Sequence, residues 1–112
     1  MIEATILSEL NAKLDKNAYI SVPATRPSAF YVVQRTGGNM TDYIKTATLA
    51  IQSYAPTMYE AASMNEAMKA VMYGLVERAD ISAVVLNSDY NYTDTSEKTC
   101  RYQAVFVVTY FD

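Results

Sequence analysis

The chain has 112 residues, of which 51% are hydrophobic and 19% charged, and 9 basic against 12 acidic side chains give a net charge of −3. This length and apolar content predict a single domain over residues 1–112 with its own core, and they exclude a largely disordered chain. Because the sequence contains no histidine, serine–histidine–aspartate triads, cysteine–histidine dyads and HExxH zinc sites are excluded as well. The basic residues are scattered along the chain, which argues against a dedicated nucleic-acid-binding protein.

Cysteine content and hydropathy give expectations about the compartment. A single cysteine permits no internal disulfide, as in proteins made in a reducing cytosol. Residues 1–5 show no basic region leading into a long apolar stretch, so we expect no signal peptide. No apolar run approaches the roughly 20 residues needed to cross a bilayer, so we also expect no membrane association.

The N-terminal part of the chain predicts a helix followed by a short strand. In residues 2–14 apolar side chains recur at every fourth position, a spacing typical of an amphipathic helix. These side chains are Ile2, Ile6, Leu10 and Leu14. Residues 18–22 favour a short strand, which Pro23 and Pro27 close because proline cannot donate to a β-ladder.

A first hairpin is predicted from two β-rich runs, residues 29–36 and 41–53, on either side of Gly37-Gly38-Asn39. Glycine and asparagine tolerate the positive φ of tight turns, so we expect these three residues to form the turn. Period-2 alternation predicts that the second run has a core face and a wetter face. The core face holds Tyr43, Ala47, Leu49 and Ile51, and the wetter face holds Thr46, Thr48 and Gln52.

The longest helix is predicted from residue 57 to residue 78. Thr57 followed by Glu60 matches a capping box, just after Pro56. The predicted buried stripe of this helix consists of Ala61, Met64, Met68, Val71 and Leu75. We interpret its methionines as filling the core between helix and sheet, rather than as a promiscuous binding groove.

The C-terminal part predicts a second hairpin, with strands in residues 81–93 and 99–111. In the last strand, one face alternates through Tyr102, Ala104, Phe106, Val108 and Tyr110. The order helix, strand, hairpin, helix, hairpin favours an α+β fold. In this fold an N-terminal helix and one long central helix pack on one face of a mostly antiparallel sheet.

Patterns that would mark a catalytic or metal site are incomplete. Residues 89–94 begin like an EF-hand loop, but Asp94 takes the place of the required glycine and Cys100 that of the final glutamate. Cys100 precedes Arg101 but has no histidine base. We interpret Asp89, Asp94 and Glu97 as solvated loop charges rather than an acid–base pair. The sequence therefore predicts no catalytic residue, cofactor or metal.

Tyrosine is unusually frequent, with 10 residues against 3 phenylalanines and no tryptophan. Tyr102 and Tyr110 are assigned to the core by the alternation of the last strand. The tyrosines without an evident core position are Tyr31, Tyr73, Tyr90 and Tyr92. Because tyrosine is enriched where surfaces are buried against partners, they predict either a self-association surface or a partly exposed sheet face.

Residues 85–94 (VLNSDYNYTD) and 98–106 (KTCRYQAVF) resemble tail-completion proteins of long-tailed phages and prophages of Gram-positive bacteria. The family is that of the tail terminators, also called minor capsid or head–tail joining proteins. The N-terminal helix, the first hairpin, the capped helix after residues 51–56 and the chain length fit the same plan. The resemblance implies a non-enzymatic structural virion protein: a homohexameric ring that caps the tail tube, ends its growth and forms the tail-side surface for head–tail joining.

The resemblance also implies partners and a location. The partners would be further copies of the chain, the tail-tube protein and the head connector or stopper, while DNA would pass through the lumen without sequence-specific binding. The protein would lie in the virion at the head–tail junction, and in the host cytoplasm during assembly. A ring of identical subunits needs heterologous contacts. The candidate interface residues are Tyr90, Asn91, Tyr92, Asp94, Glu97, Arg101, Arg35 and Lys45.

Alternatives stay open at this point. A head-side adaptor or stopper of the connector would bind the portal–adaptor complex rather than tail-tube rings. A small enzyme working through carboxylates would need a pocket with a carboxyl group of raised pKa. A ligand-binding domain would need a concave apolar pocket with a few convergent polar groups.

Overall fold

The computed structural model describes residues 2–41, 44–93 and 99–111. Its elements are α1 (Ile2–Lys13), β1 (Ala18–Tyr19), β2 (Phe30–Thr41), β3 (Ile44–Ala55), α2 (Met58–Gly74), a 3₁₀ turn (Leu75–Glu77), β4 (Ile81–Asn91) and β5 (Cys100–Tyr110). The strands form one sheet in the order β1-β2-β3-β5-β4. The short β1 pairs parallel with β2, and the other pairings are antiparallel. The α+β fold predicted from the sequence is confirmed.

Helix α1 follows the predicted periodicity, since Ile2, Ile6 and Leu10 are buried against the sheet. Near its end, the Asn11 side chain donates to the carbonyl of Ala18 (3.2 Å) and accepts from the same residue's N–H (2.9 Å). This pair of bonds ties the helix to β1 and starts the strand at that point. The strand predicted over residues 18–22 is shorter than expected, because the chain leaves β2 after Tyr19 on its way to the prolines.

Helix α2 begins as the capping pattern predicted. The Thr57 hydroxyl accepts a hydrogen bond from the backbone N–H of Glu60 at 3.2 Å, which satisfies one of the free donors of the first turn. The residues buried within the helix are Ala61, Met64, Asn65, Met68 and Met72. Val71, predicted in the stripe, is only partly buried, because Met64, Met68 and Met72 form a straight row at four-residue spacing that points at the sheet. The interpretation of the methionines as core residues is confirmed for these three.

The predicted turn of the first hairpin is wrong. Gly37, Gly38 and Asn39 lie inside β2, opposite Thr48, Ala47 and Thr46 of β3, and the register shifts by one residue between Arg35 and Gly37. The pairing continues as far as Thr41 and Ile44. Residues 42–43 lie outside the described part of the chain. A Cβ atom on Gly38 would lie 2.1 Å from an Nη atom of Arg35. The glycine thus makes room for the arginine beside a β-bulge, and does not form the turn.

The sheet has one face covered by both helices, which we call the inner face, and an opposite outer face. Inner-face side chains alternate along the strands and join the helices in the main core. They include Tyr31, Val33, Ala47, Leu49, Ile51, Ala104, Phe106, Val108 and Tyr110. The alternation predicted for the second and last strands is confirmed at these positions; Tyr102 is partly buried beside them, and Tyr43 lies outside the described residues.

Tyr31 corrects the interpretation of the tyrosines. It had no evident core position in the sequence, but it is 1% exposed, and its hydroxyl donates to the backbone carbonyl of Met64 at 3.1 Å. Burial of the hydroxyl, with a smaller contribution from Asp15, raises the pKa of Tyr31 to about 12. The side chain therefore attaches α2 to β2 and is unavailable to a partner.

Candidate functional site

One end of the outer face carries the aromatic and arginine side chains that the sequence singled out. We call it the aromatic end. It lies where β2 begins and β4 ends, and its members are Tyr19, Arg26, Phe30, Gln52, Tyr54, Tyr90, Tyr92, Arg101 and Gln103. Cross-strand pairing brings them together, since Phe30, Tyr54 and Arg101 are direct neighbours on β2, β3 and β5.

Two arginines lie over the aromatic rings of the aromatic end. Phe30 and Tyr54 are stacked, with their centroids 4.6 Å apart and an interplanar angle of 7°. The guanidinium of Arg26 lies 5.6 Å from the Tyr54 centroid, and that of Arg101 lies 5.4 Å from Tyr54 and 4.5 Å from Tyr92. These are cation–π distances, so each guanidinium is attracted to the rings it lies over and stabilises their arrangement.

Arg101 is also fixed by hydrogen bonds. Its Nε donates to the carbonyl of Tyr92 at 2.9 Å, and its Nη1 donates to the hydroxyl of Tyr54 at 3.0 Å. The Tyr54 hydroxyl in turn donates to the side chain of Gln52 at 2.9 Å. Arg101 is therefore a structural link between β3, β5 and the end of β4, and it presents a preorganised cation at this end of the sheet.

A chain of amides continues this network to the sheet edge. Gln52 donates to Gln103 at 2.8 Å, and Gln103 donates to the hydroxyl of Tyr90. Both glutamines are buried, whereas the sequence placed Gln52 on a wetter face. Gln52 does lie on the face of the sheet opposite the core, as predicted. It is nevertheless buried, because Tyr54, Gln103 and Val32 surround its amide in the paired rows. A buried amide with its partners in place is stable, and so the network makes this end rigid.

The rest of the outer face has no ionisable side chain in its paired rows, and we call it the uncharged region. Its three rows run across β2, β3, β5 and β4: Gln34, Ala50, Val105, Ser88; Gly37, Thr48, Val107, Val85; and Asn39, Thr46, Thr109, Ala83. No element among the described residues covers these rows, and Val85 is 59% exposed. An antiparallel sheet face that meets water is usually polar. A β-branched, uncharged face of this kind is typical of a surface that a partner covers.

The structure brings together only part of the predicted interface set. Tyr90, Tyr92 and Arg101 meet at the aromatic end, and Asn91 lies beside them, where its side chain accepts from the N–H of Thr93 at 3.0 Å. Residues 89–91 belong to β4, within the strand predicted over residues 81–93. Asp94 and Glu97 lie outside the described residues.

Arg35 and Lys45 lie away from the aromatic end. Arg35 is near the N-terminus of α1, with its Nη1 3.8 Å from a carboxylate oxygen of Glu3 and its Nε donating to the carbonyl of Gly37 at 3.2 Å. Lys45 is opposite Tyr110, at the far end of the sheet. The predicted residues therefore do not form one cluster.

Asp89 is not the solvated loop charge that the sequence suggested. It lies on β4, where its carboxylate accepts from the Asn65 amide at 2.7 Å and from the Lys69 ammonium. Hydrogen bonds to Asp89 and then to Glu66 raise the pKa of Lys69 to about 12. Asp89 thus anchors the edge strand to α2. Asn65 was missed, although a single amide inside an apolar stripe is a recognisable signal of a buried polar contact.

The remaining features are open grooves, the placement of possible metal ligands and the character of the helices. The structure has open grooves, of which the one lined by Glu3, Ile20 and Arg35 has a volume of about 410 Å³. Across the described ranges, no three cysteine or carboxylate side chains are placed to share a metal ion. Within those same ranges, neither helix combines the length and the apolar character that a membrane span requires.

Comparison of the sequence with known protein families and with curated proteins gave no match.

Proposed function

We propose that this chain is a structural subunit of a phage tail. It assembles with further copies into a ring on the last layer of the tail tube, ends tube growth and presents the surface that joins the head. The observation that carries the proposal is the uncharged region of the outer face, a β-sheet surface without an ionisable side chain over three consecutive paired rows.

The chemistry of this region suits burial against protein. Valine, alanine and threonine side chains lose little solvation when water is removed, whereas each unpaired charge would cost several kcal/mol. Charged residues are likewise depleted at the centres of protein interfaces. The aromatic end borders the region with tyrosine and arginine, the residue types enriched in such contacts.

The location of the resemblance supports the same conclusion. The residues that resemble tail terminators, 85–94 and 98–106, fall mainly in the β4–β5 hairpin. This hairpin supplies Val85, Val105 and Val107 to the uncharged region and Tyr90 and Arg101 to the aromatic end. Resemblance and candidate surface therefore involve the same hairpin.

A charge placed in the middle of the uncharged region tests the proposal. Val107→Glu puts a carboxylate between Thr48 and Val85, and Val76→Glu is the matched control, since Val76 lies in the 3₁₀ turn and is 46% exposed. Both variants should fold, as checked by far-ultraviolet circular dichroism. We expect Val107→Glu to weaken association of the chain with the tail tube about a hundredfold, or roughly 3 kcal/mol, and to leave tails uncapped in a complementation assay.

Val76→Glu should behave as the wild type in both assays, because Val76 lies in the turn that follows α2 and does not belong to the rows of the outer face. A folded Val107→Glu protein that still binds the tail tube and completes tails would overturn the assignment of the outer face as the surface that the tube covers.

A further inference from the structure

We propose that neighbouring copies join edge to edge, with β4 of one copy adding to the open edge of β2 in the next, so that the ring is built on a continuous sheet. This inference rests on the proposed function, because it names the two surfaces through which copies of the chain meet. Both surfaces present backbone N–H and C=O groups.

The sheet has an open edge on each side. Among the described residues, β4 has no strand on the side that faces away from β5. On the opposite side, β1 pairs with β2 only at Tyr31 and Val32, so β2 is open from Val33 to the end of the strand. Each edge therefore presents backbone donors and acceptors, which form a template for another strand.

As far as Ser88, β4 lacks the charged residues and prolines that commonly keep sheet edges apart. From Ile81 to Ser88 it contains no charged residue and no proline, although natural edge strands are commonly protected by such residues. Bulges lie between Ile81 and Ala83 and between Leu86 and Ser88. Residues 83–86 between them form a regular segment that includes the exposed Val85.

The open edge of β2 has a place for an added strand. A groove runs beside it, lined by Glu3, Ile20, Val33, Gln34, Arg35 and Thr36. Ile20, which is 46% exposed, lies where the chain turns away from β2 after β1. A strand added here would continue the line of β1 and cover Ile20, as in recognition by strand addition.

A second copy of the chain fits both edges at once. Three successive antiparallel pairings, β2 with β3, β3 with β5 and β5 with β4, make β4 antiparallel to β2. A copy placed alongside in the same orientation therefore brings β4 against β2 as an antiparallel pair. The two edges differ, so the contact is heterologous, as a closed ring requires.

Closure also fixes the register. In a ring whose axis runs along the strands, a pure rotation introduces no shift along that axis, so each residue keeps its height in every copy. Val85 lies level with Gly37 through Val107 and Thr48, and Asp89 lies level with Val33 through Ala104 and Ile51. The predicted intermolecular neighbours are therefore Val85 with Gly37, and Asp89 with Val33.

Cysteine cross-linking tests this register. Val85→Cys and Gly37→Cys are combined in a Cys100→Ser background, which removes the free native thiol. Gly37 accepts the change, because a Cβ there has Thr48 atoms as its nearest neighbours at 3.9 Å. Oxidation should give a ladder of covalent multimers on non-reducing gels. The control pair, Val85→Cys with Met40→Cys on the same edge at a different height, should give at least tenfold less product.

Hydrogen exchange on the wild-type protein gives an independent readout that needs no variant. On assembly, amides in residues 83–86 and 34–39 should become protected at least tenfold. A native assembly without the Val85–Gly37 cross-link, and with protection confined to the centre of the outer face, would overturn edge pairing while leaving the proposed function standing. If the cross-linked rings form but deletion of the chain leaves phage tails complete, edge pairing stands and the proposed function is overturned.

Discussion

Removal of the Tyr31 hydroxyl tests how the long helix is attached to the sheet. The hydroxyl donates to the Met64 carbonyl at 3.1 Å in a buried site, and such a bond contributes about 1 kcal/mol to folding. We therefore expect Tyr31→Phe to lower the free energy of unfolding by about 1 kcal/mol at pH 7. Urea denaturation should show this as a lower midpoint with an unchanged slope.

The same substitution should have the opposite effect in alkali. The pKa of Tyr31 is raised from an ordinary value of 10.0 to about 12 in the folded protein. The stability due to the neutral phenol is therefore fully present below pH 10 and is lost as the pH rises through the folded pKa. For this shift, linkage gives a loss of about 1 kcal/mol at pH 11, which Tyr31→Phe avoids. When the free energy of unfolding is plotted against pH, the curves of the wild type and Tyr31→Phe should therefore cross near pH 11.

Tyr59→Phe is the matched control, because Tyr59 is 84% exposed at the start of α2. It should change stability by less than about 0.5 kcal/mol at either pH. A difference between wild type and Tyr31→Phe that stays constant from pH 8 to pH 11.5 would refute the reasoning, since the phenol would then ionise equally in the folded and unfolded states.

Other contacts give further predictions. Thr57→Ala removes the cap of α2 and should cost about 1 kcal/mol in urea denaturation, whereas Thr57→Ser should cost less than half of that; equal losses would show that the hydroxyl bond is unimportant. Asp89→Asn keeps the shape but removes the charge that faces Lys69, and should lower the unfolding free energy by about 1 kcal/mol in low salt and by less in 1 M salt. A loss independent of salt would contradict an ionic role. Arg101→Lys should lose the ring contacts and change the tyrosine near-ultraviolet circular dichroism with a cost of about 1 kcal/mol; an unchanged spectrum would contradict the stack.

Local signals in the sequence predicted most of the fold. The four-residue spacing in α1, the Thr57 cap and the alternation along β5 each depend on neighbours within a few positions, so the pattern and the structure agree. The turn predicted at Gly37-Gly38 was wrong because glycine is found both in turns and at β-bulges. Which role it takes depends on the arginine and the partner strand beside it, neither of which a local pattern contains.

The surface was harder to predict, because it depends on contacts between distant segments. Tyr31 and Tyr90 are both strand tyrosines, and only the packing of α2 buries the first. The sequence alone suggests that Asp89 is a solvated charge in a loop. Its contacts with Asn65 and Lys69 depend on the packing of α2 against β4, which the local sequence does not show. The uncharged region spans four strands, so no single stretch of sequence shows it.

The proposed role in the tail is tested most directly by electron microscopy of a phage that encodes this chain, with its reading frame deleted. The proposal predicts filled heads beside detached tails of abnormal or uncontrolled length. Joined virions should return with the wild-type chain or with Val76→Glu, but not with Val107→Glu. Normal joined virions from the deletion phage would contradict the assignment.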